Sequence, residues 1–174
     1  MEKVTMLIPQ DKVEKRIREL ALQITKDYAG KEIRMVGILK GASFFMCELA
    51  KNIPLPVSID FMQVESYGNA TESTGTVKIR KDLDESIEGL NVIIVEDIVD
   101  SGRTLAFLGN FLKSKGAESI RYCTLLDKPS RRVVDLKADY AGFSIPDQFV
   151  VGYGMDYDQK YRNLPYIGVL HFDE

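Results

Sequence analysis

The chain has 174 residues, 45% of them hydrophobic and 28% charged, with a formal net charge of −3. That size and balance suit one globular core and exclude disordered and fibrous classes, and the charge gives no basic field of the kind that holds nucleic acid. Two cysteines, Cys47 and Cys123, make no disulfide framework, and no apolar run is long enough for a secretory signal or a membrane span, so a reducing cytoplasm is the expected compartment. In chain order, Val13, Ile17, Leu20, Ala21 and Ile24 recur at helical spacing within Asp11–Tyr28, with Asp11 as expected N-cap and Gly30 as the stop. Ile33–Leu39 reads as a strand that passes through Lys40-Gly41-Ala42-Ser43 into a helix ending near Lys51. Val57–Val64 is β-branched and aromatic, a second strand, whereas Ser66–Thr76 is polar with little to bury and reads as a mobile hairpin loop or a lid. Leu90–Val95 has the composition of a strand buried on both faces; Thr104–Lys115 is a helix closed by Gly116. Ser119–Leu126, Tyr140–Phe143, Phe149–Val151 and Ile167–Phe172 complete the strands. Strands alternating with helices predict an α/β fold, a doubly wound, mainly parallel twisted sheet flanked by helices, with the late segments a small addition to one domain.

The segment Val92 to Leu105 carries the chemistry. Four apolar residues run into the carboxylates Glu96, Asp97 and Asp100, then into Ser101-Gly102-Arg103-Thr104 at a helix start. Unpaired N–H groups and the partial positive charge of a helix N-terminus, two hydroxyls, a glycine and an arginine make a phosphate cup. Glu96 and Asp97, at the carboxyl end of a strand, can hold hydroxyls or a hydrated cation. Capping by Asp100 or Ser101 is the plainer alternative, and three acids are more than capping needs. No G-x-x-x-x-G-K-[ST] occurs, and Gly152-Tyr153-Gly154 lacks the rest of a dinucleotide fingerprint. The lone His171 cannot build a zinc site with two scattered cysteines.

Val92–Leu105 resembles the phosphoribosyl diphosphate signature of the type I phosphoribosyltransferases. With Leu39-Lys40-Gly41, Ser66-Tyr67, Leu126-Asp127-Lys128-Pro129, Phe149-Val150-Val151-Gly152-Tyr153, Asp156-Tyr157 and Arg162-Asn163-Leu164, the chain is similar to bacterial hypoxanthine-guanine phosphoribosyltransferases over almost its whole length. The resemblance implies a core over roughly residues 30–145, a cap or hood from roughly 1–12 and 146–174, and a flexible loop at 66–76 whose start, Ser66 and Tyr67, closes over the reaction centre. It implies 5-phosphoribosyl-1-diphosphate and a 6-oxopurine as substrates, Mg²⁺ as cofactor, a nucleoside monophosphate and diphosphate as products, and a homodimer or homotetramer that binds neither nucleic acid nor membrane. By motif position, Glu96 and Asp97 take the ribose hydroxyls and, with Asp156, the metal; Ser101, Gly102, Arg103 and Thr104 take the 5′-phosphate; Lys40, Gly41 and Arg162 take the diphosphate. Asp100 is placed near N7 of the purine, where it exchanges or steadies a proton. Lys128 donates to O6, Phe149 stacks on the ring, and the Val150 backbone meets its polar edge. The resemblance also implies a cis bond between Leu39 and Lys40. From the bare residues, Lys128 is equally compatible with a surface cation, Phe149-Val150-Val151 with a core strand, and Asp156-Tyr157-Asp158 with a solvated turn. Tyr153, Tyr157 and Tyr161 are expected to pack. A regulatory protein of the same fold, sensing nucleotides or binding RNA, would need a basic surface; a xanthine-preferring enzyme would differ in its contacts to C2.

Overall fold

The strand that carries Glu96 and Asp97 lies near the centre of a six-stranded sheet in the computed structural model of the chain. The structure describes residues 1–69 and 72–172, with side chains at all of these except 67–69 and 72–75. In chain order the elements are β1 (Glu2–Ile8), α1 (Gln10–Asp27), β2 (Ile33–Ile38), α2 (Ser43–Lys51), β3 (Val57–Asn69), β4 (Glu72–Lys81), β5 (Asn91–Val99), α3 (Arg103–Ser114), β6 (Ser119–Asp127), a 3-10 turn (Pro129–Arg131), β7 (Tyr140–Ser144), β8 (Val150–Val151) and β9 (Ile167–Phe172). The large sheet runs β4-β3-β2-β5-β6-β7, parallel throughout except for β4, and a three-stranded sheet runs β1-β9-β8.

Alternation along the central strands explains why both faces are covered. Ile33 and Met35 of β2, Ile93 and Val95 of β5 and Cys123 and Leu125 of β6 join one core cluster with α1 and α2. The intervening Val36, Ile38, Val92 and Ile94 join a second with Leu105, Leu108 and Leu112 of α3. The first cluster also takes in Ile8, Val150, Tyr153, Met155, Ile167 and Val169, so the small sheet shares its core with the large one. Among the described residues no helix is long and apolar enough to cross a membrane.

Three expectations are corrected. Asp11 does not cap α1: Pro9 stands at the N-cap with extended backbone and no side-chain cap bond, and Asp11 lies in the first turn, where an acid still favours the helix dipole. β5 continues four residues past Val95, because β6 stays paired with it as far as Val99↔Asp127. Ser66–Thr76 is strand rather than loop wherever its backbone is described: β3 and β4 pair antiparallel through Ser66↔Val77, Tyr67↔Thr76, Gly68↔Ser73 and Asn69↔Glu72. The tip at 70–71 and the Tyr67 side chain, on which the expected closing motion centres, lie outside the described residues.

Candidate active site

The site forms where neighbouring strands part. β2 pairs with β5 only as far as Gly37↔Val95, after which the chain leaves through Leu39-Lys40-Gly41 into α2 on one face, while β5 runs on toward α3 on the other. Such a divergence opens a crevice at the carboxyl ends of a parallel sheet. Glu96 and Asp97 stand in it. Glu96 lines a cavity of about 160 Å³ with Ile98, Val99, Asp100, Ser101, Gly102, Thr104 and Leu105. Asp97 faces the β2 loop so closely that a Cβ on Gly41 would fall 1.9 Å from Asp97 Oδ2. Its Oδ1 accepts the Ile98 N–H at 2.6 Å.

The cup is shaped by its glycine. Gly102, with φ +83, precedes the first residue of α3, and a Cβ there would meet Arg132 Cδ at 2.9 Å and Val134 Cγ2 at 3.0 Å. Ser101 Oγ accepts the Arg103 N–H at 3.3 Å, which tightens the turn. Arg132 braces the outside: its guanidinium donates to the Asp100 carbonyl at 2.8 Å, the Leu136 carbonyl at 2.9 Å and Asp127 Oδ1 at 2.6 Å. Asp100 is therefore held by its backbone while its side chain stays available. Its Oδ1 is buried and accepts no hydrogen bond within the protein.

Lys128 is no surface cation. It is 8% exposed, and Nζ lies 3.4 Å from Asp147 Oδ1 and 3.7 Å from Asp100 Oδ1. Phe149 is no core residue either: it is 48% exposed, although Val150 and Val151 beside it are buried. Its ring meets Tyr157 edge-on at 5.7 Å, and Tyr157 rests on Phe172 at 5.0 Å, which fixes one edge of Phe149 and leaves the ring accessible. Tyr157 packs as expected; Tyr153 is buried, and Tyr161 donates to Glu2 at 2.6 Å.

Across the mouth, Asp156 is part of a built turn: Oδ2 accepts the Gln159 N–H at 2.8 Å and Oδ1 lies 3.2 Å from Arg162 Nη2. Arg162 also donates to the Gly154 carbonyl at 2.7 Å. Lys40 Nζ reaches Gln159 Oε1 at 3.2 Å, and Arg162 Nη2 reaches the same oxygen at 3.4 Å, so Gln159 gathers both cations. The Leu39–Lys40 peptide is cis. Sequence reasoning missed three contributors. Gln159 carries no pattern of its own, but the Arg132–Asp127 pair and Asp147 could have been sought in the charge-rich run Asp127 to Arg132, whose cations need partners.

Burial in the crevice pushes both adjacent acids toward neutrality. Burial first, and then the Asp97 charge, hold Glu96 well above the usual carboxylate range. Burial raises Asp97 too, against the opposing pull of the Ile98 N–H, Glu96 and the Arg162 guanidinium. A carboxylate raised in the fold costs stability once pH exceeds its unfolded value, because the unfolded chain then gives up its proton more easily. Glu96→Gln is therefore expected to raise the thermal midpoint of the substrate-free protein near about pH 7, with the gain shrinking toward about pH 4; an unchanged difference across that range would refute it. Among the described residues no group of three or more His, Cys, Asp or Glu could hold a metal alone. A pair of hard carboxylate oxygens still suits magnesium, which keeps waters or substrate oxygens for its other positions.

The geometry agrees with what the chain resembles. The phosphoribosyl transferase domain model matches residues 3–158. The hypoxanthine-guanine phosphoribosyltransferase of Bacillus subtilis (strain 168) is 52% identical over 170 residues, 98% of this chain and 93% of the relative. The bifunctional protein TilS/HprT of Listeria monocytogenes (serotype 4b) is 52% identical over 165 residues, but the chain spans only 26% of its length. A crystal structure of a hypoxanthine-guanine phosphoribosyltransferase from Bacillus anthracis, with a HEPES molecule in its active site, superposes with a TM-score of 0.94 at 46% identity, covering 99% of this chain and 100% of that one. On near-complete coverage by family model, sequence and fold, the chain belongs to the phosphoribosyltransferase family and, within it, to the hypoxanthine-guanine phosphoribosyltransferases.

Proposed function

We propose that the chain transfers a 5-phosphoribosyl group from 5-phosphoribosyl-1-diphosphate to N9 of hypoxanthine or guanine, forming IMP or GMP and releasing diphosphate. The observation that carries this reading is the meeting of a buried ammonium, Lys128, and an unbonded carboxylate oxygen, Asp100 Oδ1, beside the acid pair and the phosphate cup. An ammonium donates and cannot accept, so it suits the O6 acceptor of a 6-oxopurine and opposes the 6-amino donor of adenine. Asp100 reaches N7 and steadies or takes the proton there as the ring becomes a nucleotide. The exposed Phe149 ring stacks on the base. β8 is an edge strand of the small sheet, so one side of the Val150 backbone is spared for the base's polar edge.

The 5′-phosphate sits against Ser101, Gly102, Arg103 and Thr104, at the start of α3, where the first N–H groups of a helix have no partner within it. Glu96 and Asp97 accept from the ribose hydroxyls. Lys40, the Gly41 backbone and Arg162 receive the diphosphate, which leaves from C1′ as the glycosidic bond to N9 forms. Enzymes of this family use magnesium, which would supply positive charge to the hydroxyls and the departing diphosphate; the pair Glu96 and Asp97 would hold it together with substrate oxygens, and Asp156, beside Arg162 and apart from that pair, would offer a single carboxylate on the diphosphate side.

The test is a magnesium-dependent assay with phosphoribosyl diphosphate and, separately, hypoxanthine, guanine, xanthine and adenine. Monophosphate formation from hypoxanthine and guanine but not adenine is expected, and transfer to none of them would end the proposal. Lys128→Ala is expected to raise the KM for hypoxanthine about 10- to 100-fold by deleting the only proposed contact to O6, with the KM for phosphoribosyl diphosphate little changed. Selectivity against adenine that survives the substitution would place the discrimination elsewhere.

A further inference from the structure

Parallel strands β6 and β7 leave the sheet side by side, at Asp127↔Ser144. The next residues stay tied, since the Ile145 N–H donates to the Asp127 carbonyl at 2.9 Å and the Lys128 N–H to the Val99 carbonyl at 3.0 Å. Pro146 restricts Ile145 to extended backbone, and the Gln148 N–H closes back on the Pro146 carbonyl at 2.8 Å. This turn sets Asp147 against the Lys128 ammonium at 3.4 Å, while Arg131 holds its other carboxylate oxygen at 3.3 Å. The Lys128 side chain is 10% exposed and Asp147 53%, so the partnership runs from a buried cation to an anion at the rim.

A buried ammonium needs compensating charge, and two carboxylates compete for this one. Asp147 lies at hydrogen-bond distance; Asp100, at 3.7 Å, lies beyond it. Were Asp147 absent, Lys128 would close on Asp100, whose Oδ1 has no other bond. The two groups that must face the base would then satisfy each other. We propose that Asp147 is a positioning residue for base recognition, drawing the Lys128 ammonium away from Asp100 so that the first stays aimed at a 6-oxo acceptor and the second stays open to N7. The proposal rests on the transferase reading above. Asp147 touches no reacting atom in it.

The experiment is steady-state kinetics of Asp147→Asn, Asp147→Glu and Lys128→Ala, with the double variant Lys128→Ala/Asp147→Asn, each with hypoxanthine and phosphoribosyl diphosphate varied in turn. Asp147→Asn, isosteric and uncharged, is expected to raise the KM for hypoxanthine roughly 10-fold while moving the KM for phosphoribosyl diphosphate less than about twofold. Asp147→Glu restores most of the loss. In the Lys128→Ala background the Asn substitution adds nothing further, because the group it positions is gone. Equal rises in both KM values, additive effects in the double variant, or a KM for hypoxanthine unchanged in Asp147→Asn would each overturn the positioning role while leaving transferase activity in the unsubstituted protein intact. Failure of the unsubstituted protein to use any 6-oxopurine would instead overturn the transferase reading, and this proposal with it.

Discussion

Asp100→Asn is expected to lower kcat for hypoxanthine about 100- to 10,000-fold, the span that a positioned proton acceptor contributes. The carboxamide keeps the size of the side chain and leaves its anchor untouched, because Arg132 holds Asp100 by the backbone carbonyl. What it removes is the negative oxygen. In the protein Asp100 Oδ1 is buried without a hydrogen bond, a costly arrangement for an acid unless a ligand completes it. The Lys128 ammonium, with Nζ at 3.7 Å, is too far to donate well, so the oxygen stays open to a proton on the base. The phosphate cup lies one residue onward and owes its shape to Gly102 and to the start of α3, neither of which changes. Affinity for the nucleoside monophosphate, followed by titration calorimetry, should therefore fall far less than kcat. A kcat within about threefold of the unsubstituted protein would remove Asp100 from proton handling.

How much of this could be read in the residues depended on how far apart the partners lie in the chain. β5 and α3 were legible because Val92–Val95 and Thr104–Lys115 carry their periodicity within a few residues, and the three acids between them have no other economical explanation. β4 was missed as a strand, although Val77 and Ile79 alternate with the exposed Thr76, Lys78 and Arg80. It buries only one side of a short stretch, and its pairing with β3 is what makes it a strand. β1 is a sharper case. Glu2–Ile8 forms a strand because β9, 168 residues away by the Lys3↔His171 pairing, offers an edge, and no local pattern announces that. The same distinction holds in the site. Glu96, Asp97 and Ser101 to Thr104 sit in one motif, so their grouping was visible. Asp147 and Gln159 meet Lys128 and Lys40 through contacts that only the fold creates. Phe149 shows the limit of composition, since Phe-Val-Val reads as core and yet its ring is exposed: β8 begins only at Val150, and Phe149 stands just before it.

Gly41→Ala is expected to cost about 100-fold in kcat/KM, the scale on which a displacement of about 1 Å at a reacting centre acts. A Cβ at Gly41 would lie 1.9 Å from Asp97 Oδ2 and 2.8 Å from its Cγ, so either the carboxylate or the loop has to move. If the carboxylate turns, it gives up the Ile98 N–H that fixes it and no longer faces the ribose hydroxyls assigned to it. The loop cannot simply retreat, because the Gly41 carbonyl already lies 2.2 Å from where a Cβ on Gly154 would stand. Gly154 itself has φ +97, a conformation that glycine tolerates, and its carbonyl anchors Arg162. Pushing the loop would thus disturb the acid pair's neighbour and the diphosphate cation together. Gly30→Asn is the matched control: φ is +77 there, a Cβ would meet nothing within 4 Å, and asparagine accepts left-handed backbone, so activity should hold. Loss in both variants would assign the effect to general destabilisation, whereas loss confined to Gly41→Ala, with the KM for phosphoribosyl diphosphate rising more than that for hypoxanthine, would tie the close approach of loop and carboxylate to the diphosphate half of the reaction.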